Sequence, residues 1–379
     1  MSTNNEILFD HQTNVAPLGL VVMNSATDLG NKINDYLVKW AHKGGFATDS
    51  FLLESECPRF SSGDGKGLIK STVRGKDLFI ITDPGNHSVT YDYFGSKNRM
   101  SPDDHYQDLK RIIQAAGGKA YRINVIMPNL YGGRQHRRNY RESLDCAVAL
   151  QELQAMGVEN LVTFDAHDPR VANAVPLMGF DNVIPSYQVL KAMFDTIDDF
   201  HVNKDTFMVV SPDEGALGRN MFYASELGVD MGMFYKRRDY SRIVGGRNPI
   251  VAHEYLGNSV EGKDVFIADD IISSGESVLD IAYELKKRNA KRIFAYATYS
   301  IFTGGLDRFD KAYEDGFISG VFGTNLTYRS PELLQRTWFH EVDVSKYVAY
   351  FIASINHDVS ISTVIDPHEK VQQLLEKHN

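Results

Sequence analysis

Eight short apolar runs of strand type, spaced by segments of helical period, constrain this chain more than any other feature. Leu18-Gly19-Leu20-Val21-Val22-Met23 precedes Thr27 to His42, in which Leu29, Ile33, Tyr36, Leu37 and Trp40 recur at helical spacing. Leu78 to Ile81, Tyr121 to Ile126 and Asn160 to Phe164 read as further strands. Helices are predicted over 104–116, with Leu109, Ile112 and Ile113 on one face, and over 140–156. The later chain repeats the pattern, with strands at 207–210, 231–235, 265–268 and 293–297 and helices near 215–227 and 276–288. Strands alternating with helices predict βαβ units, a largely parallel sheet and an α/β fold.

An internal echo points to duplication. VRGKDLFIITD at 73–83 matches VEGKDVFIADD at 260–270, offset by 187 residues. A weaker echo pairs Glu152-Leu153 and Leu161 with Glu284-Leu285 and Ile293, offset by 132. Two echoes in the same order predict two similar domains. The difference between the offsets assigns a surplus of about 55 residues to the first copy, around 84–148, in a stretch rich in Gly, Asn and Tyr.

The chain has 379 residues, enough for two domains, each with its own core. Forty basic against forty-nine acidic side chains argue against a nucleic-acid or anionic-membrane partner, since both need a basic surface. Cys57 and Cys146 are too few for a disulfide framework or a cysteine-built zinc site, and both read as inert thiols. Met1 to Asp10 lacks the pattern of a signal peptide and no apolar run is long enough to span a membrane, so a reduced, cytoplasmic compartment is expected.

The strongest chemical motif runs from Val265 to Ser277. A buried strand delivers Asp269-Asp270, then the turn Ile271-Ile272-Ser273-Ser274-Gly275, then a helix. At the carboxyl end of a parallel strand, such a turn surrounds an anion with backbone N–H groups and hydroxyls. Adjacent carboxylates suit vicinal sugar hydroxyls, because an ionised acid accepts two hydrogen bonds. This run resembles the phosphoribosyl-diphosphate motif shared by type I phosphoribosyltransferases and ribose-phosphate pyrophosphokinases.

Further segments resemble the pyrophosphokinases in particular. Met127 to Arg138, a proline-aromatic turn leading into Arg134-Gln135, looks like their ATP motif. Thr163-Phe164-Asp165-Ala166-His167 looks like their Asp-x-His strand end, and Ser211-Pro212-Asp213-Glu214-Gly215 with Arg219 like their pyrophosphate loop. Lys236-Arg237-Arg238 falls where that family keeps a catalytic Lys-x-Arg, and Phe60-Ser61-Ser62-Gly63-Asp64 resembles its adenine-contacting loop. Thr324-Asn325 and Asp343-Val344-Ser345 match further landmarks, so the resemblance covers 18 to about 365. Each segment also has a purely structural reading: Arg134 to Arg138 as a solvated basic loop, His167 as a core histidine, Asp213 as a helix cap, and Lys236 to Arg238 as surface charge.

The resemblance implies two tandem type I phosphoribosyltransferase-like domains, each a mainly parallel sheet flanked by helices, over 16–185 and 186–339. The C-terminal segment 340–379, with Val348, Phe351, Ile352 and Ile355 at helical spacing, is expected to complete the first. It implies transfer of the β,γ-diphosphoryl group of ATP to the 1-hydroxyl of ribose 5-phosphate, giving phosphoribosyl diphosphate and AMP. Lys236 and Arg238 are then catalytic. Phe60, Asp64, Arg134, Gln135 and His167 bind ATP; Asp213, Asp269, Asp270, Ser273, Ser274, Gly275 and Ser277 bind ribose 5-phosphate; His167 and Asp213 contact Mg²⁺. The resemblance also implies a homo-oligomer, for which a family-type hexamer built from dimers is one form. Tyr240 to Ile250, with Gly245-Gly246, has the composition of a closing lid.

The chain departs from the family pattern at several points. His136 and Asn139 stand for acids in the ATP loop and Ser62 for an acid or amide. Ala216 replaces a glycine, Gly218 a lysine, Ser273 an acid and Glu276 a glycine. Two other readings stay open on the sequence: a phosphoribosyltransferase that consumes phosphoribosyl diphosphate, and a non-catalytic subunit that regulates a synthetase.

Overall fold

Leu78, Phe79, Ile80 and Ile81 are all fully buried, as a strand covered on both faces requires. They belong to a five-stranded parallel sheet in the order Leu18–Val22, Asp77–Ile81, Arg122–Ile126, Val158–Phe164 and Gly179–Val183. The computed structural model describes residues 14–238 and 250–378, and describes Lys236 to Arg238 and 250–253 by backbone alone. A second sheet runs Ile250–Leu256, Met231–Arg238, Phe207–Ser211, Asp264–Ile272, Arg292–Ser300, Gly320–Thr324 and Phe339–Val342. Among the described residues, only the Ile250–Leu256 strand in it is antiparallel.

From Phe207–Ser211 onward, the second sheet repeats the strand order of the first. Register fixes the correspondence: Asp77 pairs with Arg122 across its two strands, and Asp264 with Arg292 across theirs. Each pair is a two-bond fork, at 2.8 and 2.7 Å in the first case and 2.9 and 2.5 Å in the second. Asp77, with no exposed surface, also accepts from the side-chain amides of Asn124 and Asn356. A carboxylate that far from water persists only with such partners.

The same register corrects the weaker sequence echo. The counterpart of the Arg292–Ser300 strand is Arg122–Ile126, not the Val158–Phe164 strand that holds Leu161. Glu-Leu before a helix-to-strand junction recurred because both helices bury a leucine there, Leu153 and Leu285. From Asp77 to Arg122 is 45 positions and from Asp264 to Arg292 is 28, so the surplus between these landmarks is 17 residues, not about 55. It includes an antiparallel hairpin, Thr90–Tyr93 with Ser96–Arg99.

The chain forms two compact units. The first runs to Pro185 and adds Asn325–Tyr328 and Asp343–Ile365; the second takes Ser186–Thr324, Arg329–Val342 and the segment from Asp366. In the first unit, helix Ser345–Asn356 packs on Thr27–Lys43, with Tyr350 stacked on Trp40 at 4.4 Å. The expected assignment of all of 340–379 to the first domain is therefore corrected. Helix His368–His378 buries Val371 and Leu374 and packs on the Ser186–Thr196 and Leu217–Leu227 helices of the second unit. Gln372 Nε2 donates to the Glu226 carbonyl at 3.0 Å within that contact.

The structure also differs from the sequence pattern at element ends. The helix expected over 140–156 spans Asp145–Ala155, because residues 140–144 stay irregular and Leu144, with φ −126° and ψ 63°, is outside the helical region. The Gly179–Val183, Gly320–Thr324 and Phe339–Val342 strands were hidden by glycine and polar residues, which weaken strand signals. No helix among the described residues is long and apolar enough to cross a membrane.

Candidate active site

In the second unit three adjacent parallel strands point their carboxyl ends the same way, Met231–Arg238, Phe207–Ser211 and Asp264–Ile272, and the middle one stops first. Ser211 is level with Met233, and Val209 with Phe266, so Asp270 and Tyr235 stand at the same height two strands apart. Two strand spacings are about 10 Å. The backbone of Lys236 begins one residue further out, paired with His253, and Arg238 pairs with Ile250. Of the lid expected over Tyr240 to Ile250, residues 240–249 lie outside the described residues, and Ile250 starts a strand.

The Asp264–Ile272 strand carries Asp269 and Asp270 at its end, then turns through Ser273 and Ser274 into helix Glu276–Lys287. Gly275 makes the turn possible. Its φ is +82°, and a Cβ there would come within 2.2 Å of Cε2 of Phe309. Gly275 at the N-cap has no side chain to cap this helix, and among the described residues the Glu276 N–H donates to Ser274 Oγ only at 3.5 Å, the limit of a hydrogen bond. The Ser273 carbonyl accepts from Thr303 N–H at 2.8 Å, which pins the turn from below. Ser273 and Ser274 are half-buried and Ser277 is exposed. An uncapped helix start with hydroxyls around it suits an anion, because the first-turn N–H groups lack intrahelical partners.

Asp213 is half-buried, and its Oδ1 accepts from the N–H groups of Gly215 and Ala216 at 3.0 and 3.2 Å. Arg219, 8% exposed, reaches Asp269 at 3.5 Å and Asp270 at 3.8 Å. One guanidinium thus faces two carboxylates, with a third acid on the neighbouring loop. Burial and then the adjacent Asp270 hold the Asp269 carboxyl well above its usual range, against the pull of Arg219. Such a site favours a ligand that brings hydroxyl donors or positive charge to the acids.

Asn220 was not singled out by the sequence. Fully buried, it donates to the carbonyls of Ala216 and Ala268 and accepts from the Ala268 N–H. It thereby ties the Asp213 loop to the Asp269 strand. An asparagine on a helix face carries no local signal of that reach.

In the first unit, Arg59 and Gly65 bridge, the Phe60 N–H donates to the Asp64 carbonyl at 2.7 Å, and the intervening turn exposes Phe60 and Asp64. Ser62 Oγ donates to the Asp64 carboxylate at 2.8 Å. A small cleft opens beside the start of this turn, lined among others by Asn24, Cys57, Arg59, Tyr91, His105 and Asp108. Burial pushes the Cys57 thiol up to about 12 and that of Cys146 to about 11, so neither supplies a thiolate nucleophile.

Arg134 is exposed, whereas Gln135 Nε2 donates to the carbonyls of Arg137 and Ser143 and shapes its loop. His167 is exposed at the end of the Val158–Phe164 strand, its ring 5.3 Å from that of His136. Asp165 just before it adopts a φ of +44°, uncommon for a residue with a Cβ, and Asn182 accepts from the next N–H. Asn325, Asp343 and Ser345 form a hydrogen-bonded knot among themselves, which ties two separate segments of the first unit together.

Among the described residues, no three His, Cys, Asp or Glu side chains group to hold a metal ion. The carboxylate oxygens of Asp213 nonetheless suit Mg²⁺, which takes few protein ligands and fills its shell with phosphate oxygens and water.

Residues 18–157 match the family model for the N-terminal domain of ribose phosphate pyrophosphokinase, and 186–316 match the phosphoribosyl transferase domain. A ribose-phosphate pyrophosphokinase of Ralstonia nicotianae is 30% identical over 251 residues, 65% of this chain and 70% of that protein. Another, from Vibrio cholerae, is 29% identical over 322 residues, 83% and 92% of the two chains. The phosphoribosylpyrophosphate synthetase structure from Mycobacterium smegmatis shares the fold, with a TM-score of 0.72, 18% identity and coverage of 90% of this chain and 99% of that one.

Proposed function

The chain belongs to the ribose-phosphate pyrophosphokinase family, and from that premise we propose that it moves the β,γ-diphosphoryl group of ATP onto the 1-hydroxyl of ribose 5-phosphate. The products are phosphoribosyl diphosphate and AMP. One observation carries this reading above others: the Asp213 loop, the Asp269–Ser277 turn and the strand end bearing Lys236 and Arg238 share one edge of one sheet. Carboxyl ends of parallel strands are where such sheets bind ligands.

The nucleophile is the sugar hydroxyl, so the protein's task is positioning and charge neutralisation. Ser273, Ser274, Gly275 and Ser277 hold the 5-phosphate, and Asp269 and Asp270 accept from the ribose hydroxyls. Ionising Asp269 is costly, because it is buried beside Asp270, and a sugar that donates to it lowers that cost. Lys236 and Arg238 stabilise charge on the transferring phosphorus. Phe60, Asp64, Arg134, Gln135 and His167 bind the nucleotide. Asp213 would hold Mg²⁺ together with phosphate oxygens and water, with His167 the further contact that the family resemblance implies, and the ion would supply neutralisation of charge on the diphosphate.

We further assign the protein to the cytoplasm and to a homo-oligomer. Purified protein with ATP, Mg²⁺ and ribose 5-phosphate should release AMP in equal amount to phosphoribosyl diphosphate, and none without the sugar. Tight binding of both substrates with no AMP would instead make the chain a regulatory subunit.

A further inference from the structure

The surplus hairpin of the first unit lies against the Phe60–Asp64 turn. The Tyr93 ring rests on Gly63, where a Cβ would meet Cδ2 at 2.7 Å and Cε2 at 2.8 Å. Tyr91 of the same strand receives the Arg59 guanidinium over its ring at 5.2 Å. Arg59, which starts the turn, is held from the other side by a two-bond fork to Asp108 at 2.6 and 2.9 Å. Arg111 reaches the same carboxylate at 2.7 Å. Both ends of the turn are thus gripped: its start between Asp108 and Tyr91, its apex beneath Tyr93.

The hairpin is built under strain. Its tip, Phe94-Gly95, has φ of +46° and +78° at successive positions, the tight turn that suits strand twist. A phenylalanine is costly there, by about 1–2 kcal/mol. Phe94 is nevertheless 77% exposed and edge-on to Tyr93 at 4.8 Å. Strain spent on an exposed aromatic adds nothing to a core, and its contact is with the ring that covers Gly63.

We propose that this hairpin braces the Phe60–Asp64 turn in the shape that receives the nucleotide base, with Tyr93 as the positioning residue. The inference rests on the reading that Phe60 and Asp64 contact ATP. A turn held in its binding shape gains affinity because less ordering remains to be done on binding.

The test compares full-length wild type, Tyr93→Ala and Tyr93→Phe. Tyr93→Ala should raise KM for ATP about tenfold, with kcat and KM for ribose 5-phosphate within about twofold of wild type. Tyr93→Phe should restore KM, since the ring and not the hydroxyl covers Gly63. Gly63→Ala should raise KM for ATP likewise, and by less in the Tyr93→Ala background, where the obstructing ring is gone. An unchanged KM for ATP in Tyr93→Ala, an equal loss in kcat and both KM values, or no rescue by phenylalanine would overturn the brace. Calorimetric titration with ATP alone reads it independently of turnover. Wild type that binds ATP but makes no AMP would defeat the assigned reaction and leave the brace standing, provided Tyr93→Ala weakens that binding.

Discussion

Asn220 and Ala268 form a reciprocal amide pair: the side-chain Nδ2 donates to the Ala268 carbonyl at 2.8 Å, and Oδ1 accepts from its N–H at 3.1 Å. The pair joins the helix after the Asp213 loop to the strand that presents Asp269 and Asp270. Asn220→Ala would leave both Ala268 groups without this partner in a fully buried position, costing about 1–3 kcal/mol of stability. KM for ribose 5-phosphate should rise as well, because loop and strand lose their common anchor. Denaturant unfolding with steady-state kinetics checks both; a stable variant with unchanged KM would show that the tie is dispensable.

Gly275→Ala tests the anion turn. At a φ of +82° any side chain is strained by about 1–2 kcal/mol, and the new methyl would strike Phe309. The start of the Glu276–Lys287 helix must shift to relieve it. KM for ribose 5-phosphate should climb about tenfold or more, while ATP binding in the absence of sugar is unchanged. Equal affinity for the sugar phosphate in both proteins would remove Gly275 from that site.

Asp269 makes stability depend on pH in a definite direction. Burial and Asp270 raise its carboxyl pKa in the folded protein, so the folded state binds a proton that the unfolded chain has released. That contribution is complete below the unfolded value, about 3.9, and is lost as pH rises through the raised folded value. Asp269→Asn, neutral at every pH, should melt above wild type at pH 8 and lose that advantage near pH 4. A pH-independent difference in Tm would contradict the assignment. Turnover should fall in the same variant, the usual exchange of activity for stability.

Lys236→Ala should lower kcat by about 10²-fold or more with KM for both substrates changed far less, the pattern of a group acting in the transition state. Near-normal turnover would take Lys236 out of the reaction.

Much of this architecture could be read locally. Continuous apolar runs such as Val265 to Ala268 marked buried strands because both of their faces are covered. The Asp269–Ser277 run carried acids, hydroxyls and glycine in the order in which a strand, a turn and a helix use them. Less legible were strands such as Gly179–Val183 and Phe339–Val342, whose place at or near a sheet edge does not demand apolar residues. The split of the C-terminus was equally hidden: the amphipathic pattern of His368–His378 says that Val371 and Leu374 are covered, but not by what. The echo built on Leu161 failed for the same reason, since a short apolar match does not say which strands are neighbours.

Sequence alone determined the α/β class, the duplication signalled by the Gly-Lys-Asp echo, and the segments that carry acids, hydroxyls and cations at strand ends. Each follows from interactions between residues close in the chain, whose period and turn chemistry are written locally. Tertiary structure decided which of those segments share an edge, that Asp77 and Asp264 answer to Arg122 and Arg292, that Asn220 reaches Ala268, and that Tyr93 covers Gly63. These depend on strand register and close approach between residues from 28 to 48 positions apart. Such pairings form only when the whole sheet buries its faces together, and no local pattern encodes them.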